Sequence, residues 1–222
     1  MSTPSSQPVG PAVSLAPPLP PVGTTSVRAV LLDADGVLQF IGTPWYRALS
    51  EGGGEPFAKA LLSREGPALS GRESLRDLLE RLVAELELAT SADELMVLWR
   101  RAIPDPLARR LVGELRAAGY LTVLATNQHE ERREWMRTAL DYDGLCDVDA
   151  YSCIVGAAKP SPEYFLGALE MAGVDADQAL FVDDSAENIS AAAALGLRTV
   201  HHPTDAGGRA LRSELVEVLS AA

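Results

Sequence analysis

Four short segments, far apart in the chain, hold side chains of the kinds that handle anions and hard cations. The first is Asp33-Ala34-Asp35-Gly36, two carboxylates one residue apart, followed by the residue type that turns most freely. The second is Thr126-Asn127, a hydroxyl and an amide. The third is Lys159, an ammonium just ahead of Pro160, and the fourth is Asp183-Asp184, followed by Ser185 and Asn188. Carboxylate and carbonyl oxygens suit a hard divalent cation. An ammonium, a hydroxyl and backbone amides suit a phosphoryl group. Any one of these signals is weak, since Asp-x-Asp-Gly also opens calcium loops. The question is whether the four segments meet.

The elements that carry them say that they do. Val27 to Asp33 is a short, mostly apolar run ending in an acid, the pattern of a buried parallel strand. Tyr120 to Thr126, Ala179 to Asp183 and Leu197 to His201 repeat it, and Tyr151 to Val155 is a weaker fifth. Helical patterns separate them. Leu107, Leu111 and Leu115 recur at four-residue spacing between Asp105 and Ala118, and Gly119 stops the run. A second pattern covers Glu130 to Leu140, a third opens at Ser161-Pro162 and ends at Gly173, and Ser185 caps a fourth running to Leu195. Strand–helix alternation predicts an α/β fold, a Rossmann-like parallel sheet core with helices on both faces. Ligands bind at the carboxyl ends of the strands in such a sheet, where all four segments fall.

One region breaks the alternation. Between Trp45 and Ile103 the pattern is helical throughout, with Leu75, Leu78, Leu79, Leu82, Val83 and Leu86 forming an apolar stripe read as core. Gly52-Gly53-Gly54 and Gly66-Pro67 cut it into pieces. The expected organisation is a disordered Pro/Ser-rich tail over residues 1–25, an α/β core over 26–42 and 104–222, and a small helical cap over 43–103 inserted after the first strand.

Composition narrows the class of partner. The net charge of −12 leaves no basic excess to neutralise nucleic-acid phosphates. No stretch approaches the ~20 apolar residues that span a bilayer. Prolines interrupt the opening segment, which lacks the apolar core of a secretory signal, so a cytoplasmic location is expected. Cys146 and Cys153 read as reduced side chains, not as a disulfide framework.

These four segments, in this order, resemble the signatures of the haloacid dehalogenase superfamily. The residues that carry the resemblance are Leu31-Leu32-Asp33-Ala34-Asp35-Gly36-Val37-Leu38, Leu124-Ala125-Thr126-Asn127, Lys159-Pro160-Ser161-Pro162-Glu163, and Phe181-Val182-Asp183-Asp184-Ser185 with Asn188. The helical insertion resembles the cap of the first subfamily, which includes phosphoglycolate phosphatases and β-phosphoglucomutases. The resemblance implies an enzyme: a magnesium-dependent phosphatase acting on a small phosphorylated metabolite through an aspartyl-phosphate. It casts Asp33 as nucleophile, Asp35 as acid and base, and Thr126, Asn127 and Lys159 as phosphate-binding groups. It also implies Mg²⁺ held by Asp33, Asp35 through its carbonyl, Asp184 and Asp183, with Asn188 behind them holding Lys159 or a metal-bound water.

Other branches remain as alternatives. Asp35 argues against dehalogenation, because a halide leaves without a proton. Lys59, the one lysine of the insertion, gives no support for a phosphonatase Schiff base. Gly71-Arg72-Glu73-Ser74 looks somewhat like the cap segment of β-phosphoglucomutases, which keeps a sugar phosphomutase as the enzymatic rival. A non-catalytic binding module of the same fold is the remaining reading. Arg64 and Arg72 are expected to reach an anionic substrate from the cap. Arg132 and Arg133 read as a solvated helix face, and His129, His201 and His202 as structural or exposed. A monomer or homodimer is expected.

Overall fold

The computed structural model describes residues 17–221. Among these, seven strands run in chain order: β1 (Ala29–Leu32), β2 (Gln39–Phe40), β3 (Ile103–Pro104), β4 (Leu121–Thr126), β5 (Val148–Tyr151), β6 (Ala179–Asp183) and β7 (Arg198–His201). Five of them form one parallel sheet in the order β5-β4-β1-β6-β7. The chain therefore starts at the centre, builds outward to one side, then crosses back to build the other. The expected fold class is the one observed. Such a reversal leaves a crevice at the carboxyl end of the central strand. Register sets what fills it: Leu32 pairs with Leu124 and Val182, and Asp33 N–H donates to Val182 O at 3.0 Å, so Asp33 and Asp183 stand side by side.

Both faces of the sheet are buried, which is why β1 reads as a continuous apolar run and not as an alternation. Val30 and Leu32 face one layer, where α6 (Pro106–Ala117) and α11 (Gly208–Ser220) contribute Leu111, Leu115, Leu211 and Leu215. Ala29 and Leu31 face the other, where α9 (Pro162–Ala172) contributes Tyr164, Phe165 and Leu169, and α10 (Ala186–Ala194) contributes Ala192. α7 (Glu130–Ala139) follows β4 and packs Met136 into the first layer.

Between β2 and β3 lie α1 (Trp45–Gly53), α2 (Glu55–Arg64), α3 (Gly66–Leu69), α4 (Leu75–Glu85) and α5 (Ala92–Met96), then a 3₁₀ turn Val97–Arg100. They close on a third apolar cluster of their own that includes Phe57, Leu61, Leu75, Leu78, Leu79 and Leu82. The breaks fall at glycines: α1 ends at Gly53, and Gly54 sits at φ +86° between α1 and α2. Ser74 caps α4 by accepting from Asp77 N at 3.0 Å.

Three differences from the sequence reading have local causes. The fifth strand lies at 148–151, and Ser152–Val155 is a helical turn, α8, closed by Gly156 in the left-handed region. Asp147 and Asp149 mask the strand, while Ile154 and Val155 imitate one. The ribbon of β2 and β3, which joins the two chain crossings between core and cap, is too short to leave a period. α11 does carry one, Leu211, Leu215 and Leu219, which the sequence reading passed over. Of the expected tail, residues 1–16 lie outside the described residues. Residues 17–26 are turns and extended chain that meet the core, with Val22 N–H donating to Ala118 O at 2.9 Å and Arg212 donating to Pro17 O at 2.7 Å.

Asp105 joins the end of the insertion to the core. Its carboxylate caps α6 by accepting from Leu107 N at 2.8 Å and Ala108 N at 3.3 Å, and it also accepts from Gly208 N at 2.6 Å. Gly208 has room for no Cβ, which would strike the start of α6. Asp105→Ala removes a cap and leaves a buried N–H unpaired, and it should cost about 2–4 kcal/mol of stability. Urea unfolding monitored by circular dichroism measures this; a loss under about 0.5 kcal/mol, the size of a neutral surface change, would show that α6 and α11 hold without it.

Candidate active site

β1, β4 and β6 each deliver one segment, and the remaining one, with Lys159, lies on the loop between α8 and α9. The turn after β1 is tight: Leu38 N and Gln39 N both donate to Ala34 O at 2.9 Å, and Gly36 N donates to Gln39 O at 2.8 Å. Gly36 has φ +79°, and a Cβ there would overlap the Asp184 carboxylate. This glycine is needed both for its conformation and for its missing side chain. Asp33 and Asp35 leave the turn on the side of the crevice.

Lys159 reaches Asp33 Oδ1 at 2.9 Å and Asp183 Oδ2 at 2.6 Å, and donates a third bond to Ala125 O at 2.8 Å. It is 5% exposed and Asp183 is fully buried. Asn127 holds the lysine's backbone from both sides, donating to Lys159 O and accepting from Lys159 N, each at 2.8 Å. Asp183 is also held by Ser185 N at 2.8 Å and by Asn188 Nδ2 at 3.0 Å. Asn188, expected to hold Lys159 or a metal-bound water, bonds Asp183, the carboxylate that pairs with Lys159. Asp184 stands more open, with Thr204 donating to its Oδ2 at 2.8 Å and His201 Nε2 lying 2.9 Å from its carbonyl.

Ligand atoms of Asp33, Asp183 and Asp184 all lie within 4.8 Å of one another. Burial pushes the Asp33 carboxyl up to about 7, with the Lys159 ammonium pulling it down and the Asp183 and Asp35 carboxylates adding to the rise. Burial and Asp183 also raise Asp184, against the bond from Thr204. Desolvation works against the Lys159 ammonium, but Asp33 and Asp183 outweigh it and hold its pKa above the usual lysine value. Three carboxylates against one ammonium is an excess of two negative charges when all are ionised. A hard dication fits that donor set in both charge and ligand type.

Asp35 is engaged elsewhere. Arg132 from α7 grips it with two bonds of 2.7 Å, and Gln39 Nε2 donates to it at 2.6 Å. Burial would raise its pKa, but the Arg132 charge and these bonds prevail and lower it. Arg132 is buried, which corrects its expected place on a solvated helix face. The helical insertion keeps it there: Trp45 covers its guanidinium at 4.7 Å, stacks on Trp99 at 5.9 Å, and Trp99 meets the His129 ring edge-on at 5.9 Å. Arg133, also expected on a solvated face, is half-buried: it pairs with Glu130 at 2.6 Å and lies over the Tyr151 ring at 5.6 Å.

Between the sheet edge and the cap is a chamber of 260 Å³. Asp33, Asp35, Thr126, Asn127, Lys159, Asp184 and Asn188 all line it, so the sequence-expected residues converge on a single space. Asp183 lies behind them. The expected cap arginines do not take part: Arg64 pairs with Glu85 at 2.5 Å and Arg72 is exposed. His129, expected to be structural or exposed, lines the chamber, while His202 is buried against Glu214 at 2.7 Å. The sequence reading also missed Gln39, Gln128, Glu65 and the two tryptophans. Proximity of 128, 129 and 132 to the Thr126 segment was the available signal.

Residues 27–196 match the family model of haloacid dehalogenase-like hydrolases. The chain belongs to this family. The hydrolase is 32% identical over 190 residues to phosphatase MT3486 of Mycobacterium tuberculosis (strain CDC 1551 / Oshkosh), spanning 78% of this chain and 86% of that one. In structure it resembles a HAD-like family hydrolase from Porphyromonas gingivalis, with a TM-score of 0.75 at 19% identity over 89% of this chain and all of the other. It also resembles a HAD family enzyme from Bacteroides thetaiotaomicron in its magnesium complex, with a TM-score of 0.68 at 22% identity, covering 82% and 95% of the two chains. Among the described residues no helix is long and apolar enough to cross a membrane.

Gly36→Ala should push Asp184 out of place and weaken Mg²⁺ binding by about tenfold or more, as disturbing the surroundings of a metal ligand does. Calorimetric titration of the folded variant measures it. Unchanged affinity would mean that Asp184 plays no part in holding the cation.

Proposed function

We propose that this hydrolase is a magnesium-dependent phosphatase of small phosphorylated metabolites that works through an aspartyl-phosphate on Asp33. The observation that carries the reading is the shared chamber: one carboxylate oxygen of Asp33 is fixed by Lys159, with Thr126 and Asp184 facing the same space. Phosphoryl transfer needs an in-line nucleophile, cationic neutralisation of the equatorial oxygens and a proton for the leaving group. Asp33 supplies the nucleophile; its attack on phosphorus forms the acyl-phosphate bond as the ester P–O bond breaks. Lys159 holds that carboxylate in place and offsets its charge, while Thr126 donates to the phosphoryl group. Asn127 acts by fixing the Lys159 loop.

Asp33 and Asp184 would hold the magnesium ion, and the carbonyl of Asp35 joins them by family pattern. Asp183, whose oxygens are occupied by Lys159, Ser185 and Asn188, supports the set from behind. When bound, magnesium neutralises charge on the phosphoryl oxygens and on the acids around it. Asp35, kept ionised by Arg132 and Gln39, is set to take a proton from the water that cleaves the acyl-phosphate. For the first half-reaction it must be protonated and free of the Arg132 fork; it gives that proton to the leaving oxygen and regains one from the water that cleaves the acyl-phosphate. The cap covers the chamber and excludes water.

No observation favours the mutase. The Gly71–Ser74 segment does not line the chamber, and Arg72 is exposed. With Mg²⁺ and an aryl phosphate, the protein should release phosphate, and Asp33→Asn should reduce kcat by at least ~10³-fold, as loss of a covalent nucleophile does. Mass spectrometry of acid-quenched wild type should show one added phosphoryl group on the peptide containing Asp33. Turnover surviving in Asp33→Asn would overturn the assignment.

A further inference from the structure

The half of the chamber facing the sheet edge belongs to the phosphoryl group; the other half is built by the cap, and its chemistry is one-sided. Trp45, Leu49, Leu62, Leu69 and Trp99 present apolar surface. Glu65, at the junction of α2 and α3, is the one charged side chain that the cap adds among the described residues. Across from it His129 is 3% exposed, neither ring nitrogen has a hydrogen-bond partner, and Nε2 lies 3.4 Å from Glu65 Oε2. Unpaired polar atoms buried in an apolar wall are costly unless something supplies the missing bond. A substrate can supply it.

The charges say which kind. Two full cations line the chamber, and both are engaged: Arg132 by Asp35, and Lys159 by Asp33 and Asp183. No third full cation lines the chamber among the described residues; Arg101, beyond it, stacks on Trp45 and donates to Thr43 O at 2.8 Å, and the His129 ring faces Glu65. A carboxylate or second phosphate on the leaving alcohol would be driven against Glu65, a like charge that is only partly exposed. An N–H or O–H there would instead find acceptors. Size limits the body of the alcohol: 260 Å³, shared with the phosphoryl group, is below the ~300–1,000 Å³ of drug-sized sites.

Resting on the phosphomonoesterase reading of this chamber, we propose that the leaving group is a compact alcohol with an apolar body, uncharged or bearing an ammonium, and that Glu65 selects it against carboxylated and phosphorylated alcohols. The residue is a specificity determinant, acting on the part of the substrate away from the reacting phosphorus.

Three benzyl esters with the same ring separate the cases: benzyl phosphate, its 4-aminomethyl derivative and its 4-carboxy derivative, whose alcohols leave with similar ease. Their non-hydrolysable phosphonates give affinity without turnover. Calorimetry on the Mg²⁺-loaded wild type should find the aminomethyl phosphonate bound at least ~10-fold more tightly than the carboxylate, given the cost of placing like charges together. Glu65→Gln should narrow that ratio to about threefold or less, and Glu65→Lys should reverse it. Equal affinity for the two in wild type, or a ratio untouched by Glu65→Gln, overturns the proposal. Phosphate release from the esters reports separately on the phosphatase reading. An affinity order without release sinks that reading and leaves the selectivity of the chamber standing; release without the order does the reverse.

Discussion

Like charges forced together at the dry edge of a sheet are the constraint on which the rest of this molecule depends. Asp33, Asp183 and Asp184 crowd within reach of one cation, with the Lys159 ammonium alone to offset them. Burial denies Asp33 and Asp183 the water that would otherwise screen them, while Asp184 stands more open. A site of this kind is tolerable as structure and useful as chemistry for the same reason: its donor set suits a divalent cation. The cost of assembling it is borne by the fold around it.

That burden explains features that look incidental one at a time. Asn127 uses both ends of its amide on the backbone of Lys159, and the Asn188 Nδ2 and the Ser185 backbone N–H both donate to Asp183. Gly36 lets Asp184 come close by having nothing in the way. The sheet supplies the register, and two apolar layers, one on each face, make that register rigid. Asp35 is handled differently. Its charge is met by Arg132, which the helical insertion covers through Trp45, so Asp35 is tied to the insertion as well as standing beside the acidic cluster.

Much of this was legible in the sequence, and the reasons are physical. A strand buried on both faces has to be apolar, so β1, β4 and β6 announce themselves, and the polar residues at their ends stand out against them. Helix ends were marked by glycine and by Ser or Asp caps, as at Asp105 and Ser185. The fifth strand was misplaced because its acids hide it. Site residues on the strand ends were found, whereas Arg132, His129 and Glu65 were not. They lie on helices, where a buried arginine and an exposed one follow the same period, and their meaning comes from Asp35 and Trp99 across a boundary of about a hundred residues or fewer that no local pattern spans.

The most direct test of the central claim is the melting temperature of wild type and Asp184→Asn, each with a chelator and with Mg²⁺. If repulsion among the acids is the governing strain, the variant without metal should melt above wild type, by about 2–4 °C for each ~1 kcal/mol of repulsion relieved. Magnesium should then stabilise wild type and leave the variant nearly unmoved. A variant that melts below wild type without metal, and gains as much from magnesium, would contradict the account.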